Sequence, residues 1–279
     1  CLSHDIFDPS SVACAYVRWA QSNPPDIGNT CSNALRVLES PTKLRAIQLS
    51  DEEKEKFRTD VEENVRNRNG NSLSNGSLMR QSVITAVYAS NYFLASKKNN
   101  NAEEGSVGKG GKWYFSLCLL SFRLLSAVEA DTLLTHSNPL AIEASKAFSL
   151  LLFNLIKGKT PEEALKSTLS IILSPDIHSL LESSRDHLIS VILPNGQTSN
   201  GDDAHIGYLG VSLQIAVYYL LHAPSFSSGL LSVVGGDTDT NGCIAGALLG
   251  ARFGQEGILL EWIHTVENAE LRMKGENGI

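Results

Sequence analysis

The stretch IGYLGVSLQIAVYYLL, residues 206–221, decides the fold. It is almost entirely apolar, contains no proline, and is far longer than an ordinary strand. It predicts one helix from Ile206 to Leu221. A helix that is apolar on every side has no face for water, so it belongs at the centre of a bundle. The flanking segments also carry apolar residues at helical spacing. Leu78 to Phe93 reads as a second buried helix. More helices are expected over 113–129, 138–157 and 176–190, near 226–233, over 241–253 and near 256–268. Thr160-Pro161-Glu162-Glu163 joins a cap, a proline at the first helical position and a box-completing glutamate, so a helix starts there. Strand alternation is scarce, with Leu188 to Leu193 the one weak candidate. The pattern predicts an all-α fold and a single domain over residues 1–279.

Towards the N-terminus, Ser10 or Ser11 can cap a helix carrying Val12, Ala15, Tyr16, Trp19 and Ala20, which stops before Asn23-Pro24-Pro25. A second helix is expected from Asn29 to Leu38. Residues 51–68 are so charged that they read as a solvated helix. Asn69-Gly70-Asn71 and Asn75-Gly76 mark a loop. Residues 97–112 read as a low-complexity loop. Its glycines superficially suggest a phosphate-cradling loop, but GxxxxGK[ST] is not satisfied and Trp113 follows Lys112. Lys109 and Lys112 are read as solvated.

Composition narrows the function. An apolar fraction of 42% supports a substantial core, and a net charge of -7 argues against a general nucleic-acid binder. There is no run of about 18 continuous apolar residues, so no membrane span is expected, and no leader is visible. The five cysteines are odd in number and widely spaced, without a CxxC. That pattern disfavours a disulfide framework or zinc knuckle. A reducing compartment, the cytoplasm, is expected, and the chain is taken as a monomer.

The chemistry is concentrated in Gly235-Gly236-Asp237-Thr238-Asp239-Thr240-Asn241. If residues 237–240 run extended, Asp237 and Asp239 point to one side, and Thr240 adds a third hard oxygen. Mg²⁺, Mn²⁺ and Ca²⁺ prefer such ligands. The competing reading is that Asp and Thr merely cap the following helix. In that helix Gly242, Gly246 and Gly250 recur every fourth residue, which suggests that another backbone packs very close.

Four separated segments together resemble the ADP-ribosylglycohydrolase family. They are Asp26-Ile27-Gly28-Asn29-Thr30, Ser74-Asn75-Gly76-Ser77-Leu78-Met79-Arg80, Leu134-Thr135-His136-Ser137-Asn138-Pro139 and Gly236-Asp237-Thr238-Asp239-Thr240-Asn241. His205-Ile206-Gly207-Tyr208 and Leu221-His222-Ala223-Pro224 add two further matches. The resemblance implies an orthogonal helical bundle with a cleft centred on two Mg²⁺ or Mn²⁺ ions. It also implies hydrolysis of the bond between the anomeric carbon of ADP-ribose and an acceptor. In its terms Asp237, Asp239 and Thr240 match metal ligands, with the two aspartates as the catalytic pair. Asn75, Gly76, Ser77 and Met79 match a loop that lies against ADP-ribose. His136 matches a histidine near the phosphates or sugar, Asp26 an aspartate at the cleft rim, and Ile206 a position near the adenine.

Plainer readings stand beside these. Asn75-Gly76 can be only a turn, His136 can bond a turn before Pro139, and Asp26 can cap the helix near Asn29. His205 and His222 read as structural. One departure is serious, because no segment of this chain matches the family's upstream Thr-Asp-Asp motif, and Asp202-Asp203 does not replace it. Either residues preceding Cys1 supply the remaining ligands or the metal site is incomplete. The expected partners are ADP-ribose or an ADP-ribosylated protein or other acceptor. The alternative is an inactive ADP-ribose binder or scaffold, and a purely structural helical protein is a third reading.

Overall fold

A computed structural model describes residues 7–37, 49–100, 110–186, 191–193, 197–199, 205–233 and 236–276. The architecture is all-α. The N-terminal helices are α1 (Pro9–Gln21), α2 (Asn29–Leu35) and α3 (Asp51–Arg68). A 3₁₀ turn (Asn75–Arg80) runs directly into α4 (Gln81–Asn100), followed by α5 (Gly110–Leu133), α6 (Pro139–Ile156), α7 (Pro161–Leu169) and α8 (Pro175–Ser183). The C-terminal part holds α9 (Leu209–His222), α10 (Phe226–Leu231), α11 (Thr238–Phe253) and α12 (Leu260–Glu276). Among the described residues the only sheet is a hairpin of β1 (Val191–Ile192) and β2 (Thr198–Ser199), paired antiparallel with Val191 opposite Ser199.

The all-apolar stretch is central, as its composition requires. Every residue of α9 from Leu209 to Val217 is buried. It packs chiefly on α11 and also touches α6 and α8. The main core joins Leu78 from the 3₁₀ turn, Ala144, Phe148 and Leu151 from α6, Leu165 from α7, Leu213 and Ala216 from α9, and Ile244 and Leu248 from α11. Phe148 has no exposed surface, and truncating such a side chain to alanine costs about 3–5 kcal/mol. By length and composition α6 passes as a membrane span, at mean hydropathy 1.4, which the sequence reading did not foresee. Yet 67% of that helix is buried inside the protein, so its apolar surface is already used by the bundle.

Several element boundaries differ from expectation for local reasons. Helix α1 is capped by Asp8, not Ser10 or Ser11: the Asp8 carboxylate accepts from the Ser10 backbone N–H at 3.1 Å. Helix α3 is not solvated all round. It buries Phe57, Val61 and Val65 at intervals of four, and a Ser50–Glu53 capping box starts it. Helix α5 begins at Gly110 and runs to Leu133, longer than expected on both sides. Helix α8 stops at Ser183, and α9 begins three residues later than read because 205–208 form a turn. Residues 101–109 of the expected loop, Leu38, Leu188, Asp202-Asp203 and Gly235 lie outside the described residues.

The glycines of α11 face side chains of α10. A methyl on Gly246 would stand 3.5 Å from Leu230 Cδ1, and one on Gly250 would stand 3.8 Å from Phe226 Cε2. The close neighbours are thus apolar side chains in ordinary contact, where a second backbone was expected.

Candidate active site

Two loops are laced together by their backbones in front of α11. The Asn75 N–H donates to the Gly207 carbonyl at 2.9 Å, and the Leu209 N–H donates to the Leu73 carbonyl at 2.9 Å. Ser74 and Tyr208 form an antiparallel bridge between them. Asn75 is thereby pulled out of solvent, with 5% of its surface exposed. Its amide Nδ2 donates to Asp237 Oδ2 at 2.6 Å and to Ser212 Oγ, on α9, at 3.0 Å. A methyl placed on Gly207 would stand 3.8 Å from both Asn75 Oδ1 and Asp237 Oδ2, so all three residues meet at one point.

Asp237 occupies the N-cap position of α11 but makes no side-chain capping bond. Its carboxylate points to Asn75 instead, which removes the plain capping reading for this residue. Gly236, at φ 56, supplies the left-handed backbone that lets the chain enter the helix at this angle. The segment is not extended as expected, because Thr238, Asp239 and Thr240 already form the first helical turn. Asp239 is exposed, and its Oδ1 accepts from the Thr240 backbone N–H at 2.9 Å. That bond first, and the Asp237 side chain second, hold the Asp239 carboxyl below its usual range. Two carboxylates and a threonine hydroxyl within one turn are hard oxygen donors suited to a divalent cation of the Mg²⁺ or Mn²⁺ type. Among the described residues no group of three or more His, Cys, Asp or Glu that could hold a metal ion forms.

Behind the loop lies a buried polar network. Asp131, on α5, has no exposed surface. Its carboxylate accepts from Tyr16 Oη at 2.7 Å, Arg80 Nε at 2.7 Å and Gln81 Nε2 at 2.8 Å. Arg80 in turn donates to the Gly76 carbonyl at 2.9 Å, to the Asp131 carbonyl at 2.8 Å and to Thr135 Oγ1 at 2.9 Å. The guanidinium therefore ties the 75–77 loop to the end of α5. Burial works against its charge, but the Asp131 carboxylate, with Tyr16 and Cys31 beside it, outweighs that cost and raises its pKa. Burial drives the Tyr16 phenol far above its usual value.

The predicted site residues fall into two groups. Asn75, Gly76, Asp237, Asp239 and Thr240 share one neighbourhood. Met79 and Ile206 present 37% and 42% exposed apolar surface, which suits a rim. Asp26 is exposed between α1 and α2. It does not cap α2, whose N-cap is Gly28, but Thr30 ties this segment to the loop through Ser72 Oγ at 2.9 Å and Ser74 Oγ at 3.1 Å. Two residues face inward. The Ser77 hydroxyl is buried and accepts from Ser145 Oγ at 3.2 Å. His136 is fully buried, with Nδ1 2.8 Å from Thr135 Oγ1 and Nε2 2.8 Å from Ser74 Oγ. Burial first, and the nearby Arg80 charge second, push its pKa down to about 3, against an opposing bond to the Ser74 backbone.

Asp131, Tyr16, Arg80 and Ser212 were not assigned roles from sequence. Asp131 did leave a signal: it lies on the helical stripe of Leu124, Ala127, Val128 and Leu134, where a lone carboxylate needs buried partners.

A family model described as ADP-ribosylglycohydrolase matches residues 1–276. A protein of Acanthamoeba polyphaga mimivirus that carries the name of an ADP-ribosyl glycohydrolase is 26% identical over 291 residues, covering 98% of this chain and 72% of its own length. The ADP-ribosyl-[dinitrogen reductase] glycohydrolase of Rhodospirillum rubrum is 22% identical over 279 residues, covering 98% of this chain and 69% of its own. A solved structure of an ADP-ribosylglycohydrolase-related protein complex shares the fold at a TM-score of 0.57 and 20% identity, covering 94% of this chain and 70% of that one.

Proposed function

Given that this chain belongs to the ADP-ribosylglycohydrolase family, we propose that it is a metal-dependent hydrolase that releases ADP-ribose from a modified acceptor by cleaving the bond at the ribose anomeric carbon. Asp237, Asp239 and Thr240 would hold Mg²⁺ or Mn²⁺. A bound metal pair supplies Lewis acidity, orients ribose hydroxyls and lowers the pKa of water. The observation that carries the reading is the Asp237 carboxylate, which makes no capping bond to its helix and is held by Asn75 at 2.6 Å. One carboxylate oxygen is thus fixed by Asn75 beside the start of the helix.

The rest of the site binds and orients. The backbone of the 75–77 loop, Gly76 included, would lie against the ligand, and Met79 and Ile206 offer apolar surface for a base at the rim. Asp26 would border the same opening. Ser77 and His136 act by holding the loop, since both side chains are bonded inside the protein. The substrate is taken to be an ADP-ribosylated protein or other acceptor, met by a monomer in the cytosol. The free thiols of Cys14, Cys31 and Cys243 support a reducing compartment.

The test measures ADP-ribose release from ADP-ribosylated substrates with Mg²⁺, with Mn²⁺ and with a chelator, alongside Mn²⁺ binding by calorimetry. Asp237→Ala and Asp239→Ala are expected to abolish release and weaken Mn²⁺ binding. Unchanged metal-dependent release by both variants would defeat the assignment. Binding of ADP-ribose by the parent chain without any metal-dependent release would mark the non-catalytic alternative.

A further inference from the structure

We infer that Arg80, Thr135 and His136 form a directional hydrogen-bond relay that locks the His136 ring as its Nε2–H tautomer and so sets the position of the 74–77 loop. All three are positioning residues, and the functional part of the inference rests on the reading that this loop borders the ADP-ribose site.

The direction follows from counting hydrogens. A guanidinium can only donate. Arg80 Nη2 donates to Thr135 Oγ1 at 2.9 Å, so that oxygen is an acceptor at this contact. The Thr135 hydroxyl has one hydrogen and two acceptor positions, so its hydrogen is free to point at its other partner, His136 Nδ1 at 2.8 Å. The far side of the ring decides that Nδ1 is the acceptor, because a neutral ring with its proton on Nε2 carries none on Nδ1. The Ser74 hydroxyl donates to Thr30 Oγ1 at 3.1 Å, so Nε2, 2.8 Å from Ser74 Oγ, must be the donor. The chain of donors runs from Arg80 through Thr135, His136 and Ser74 to Thr30, and each step has one direction.

The relay has a fixed origin and a functional end. Its origin is Arg80, anchored by Asp131, which is itself clamped by Tyr16 and Gln81. Its end is Ser74, the residue before Asn75, whose backbone is bridged to Tyr208. The groups facing the ring are Arg80, Ser74, Thr135 and, across Gly76, the half-buried Cys31 thiol. A methyl on Gly76 would lie 3.7 Å from His136 Cε1 and 3.4 Å from Cys31 Sγ, so that side is filled. A second proton at Nδ1 would face the Arg80 charge and displace the Thr135 bond, so the ring stays in one state while the loop is in place.

The experiment is long-range ¹H–¹⁵N NMR of histidine-labelled full chain, with ADP-ribose binding by calorimetry and thermal unfolding on each variant. The parent is expected to show one histidine as a pure Nε2–H tautomer whose signals do not move between about pH 5 and 8, the range in which a free imidazole titrates; His136→Gln identifies it by loss. Thr135→Val, which keeps shape and removes the hydroxyl, is expected to disturb that pattern. It should also weaken ADP-ribose binding about threefold or more, the scale of one lost hydrogen bond. Thr135→Ser restores the hydroxyl and is expected to recover both. An Nδ1–H pattern, titration of this histidine within that range, or parent-like binding by a folded Thr135→Val would overturn the relay. If Thr135→Val does not fold, the parent spectrum alone decides the direction. A parent that shows the tautomer but binds no ADP-ribose would sink the functional reading and leave the relay standing.

Discussion

Replacing Asp131 by alanine should be among the costliest single changes outside the Asp237–Thr240 segment. The carboxylate has no exposed surface and accepts three short hydrogen bonds, from Tyr16, Arg80 and Gln81. Removing one partner of a buried ion pair typically costs about 3–5 kcal/mol, because the remaining charge stays desolvated. Here Arg80 keeps three other acceptors: the carbonyls of Gly76 and Asp131 and the Thr135 hydroxyl. The Arg80 side chain also retains 16% of its exposure. Both features place the expected loss at the lower end, about 3 kcal/mol. For a chain of this size 1 kcal/mol corresponds to roughly 2–4 °C in Tm, so the loss should appear as a fall of about 6–12 °C in calorimetry. Tyr16→Phe removes a single accepted bond and should cost about 1.5–3 kcal/mol, as expected for a hydrogen bond to a charged group. In a double variant the two losses should fall short of additivity, since the phenol has nothing left to bond. A Tm within 2 °C of the parent for Asp131→Ala, or strict additivity in the double variant, would refute the account of this cluster as a mutually dependent unit.

Two further outcomes follow from packing and titration. His136 is held near pKa 3 in the fold against an ordinary 6.5, so between these values the unfolded chain binds a proton that the folded one does not, and stability falls as pH drops from about 6.5 towards 3. The full contribution is on the order of 5 kcal/mol, and His136→Gln should flatten the acid side of the Tm–pH curve; an unchanged slope would count against a buried neutral ring. A methyl on Gly229 would stand 2.8 Å from Ala223 Cβ and 2.9 Å from Leu249 Cδ1, whereas one on Gly28 meets nothing within 4 Å. Gly229→Ala should therefore lower stability by about 1–3 kcal/mol and Gly28→Ala should not, as urea unfolding of the two variants would show.

Much of the architecture was legible because it rests on local periodicity. Helix α9 could be read, apart from a start placed three residues early, because a stretch with no polar face has only one kind of place to go. The start at Thr160 could be read because its capping box is written in four consecutive residues, and the structure forms both of its bonds. Errors arose where the deciding partner is remote or ambiguous. Asp8 and Ser10 are both good caps, and only geometry chose Asp8. Phe57, Val61 and Val65 were masked by the charge around them. The sequence brought Asn75 and Asp237 together only through a family pattern. Nothing local could show that one donates to the other, across 162 residues of chain. His136 and Ser77 lay in matching motifs, yet both hydroxyl and imidazole turn inward, a direction that depends on Ser145, Ser74 and Thr135.

The backbone pairing of residues 73–75 with 207–209 has an evolutionary corollary. Main-chain bonds do not depend on which side chains the two segments carry. Neighbouring exposed positions such as Met79 and Ile206 are thereby released from any duty to the scaffold. Selection, or a protein engineer, can rewrite the chemistry presented to a new acceptor at those positions while the frame beneath keeps its shape.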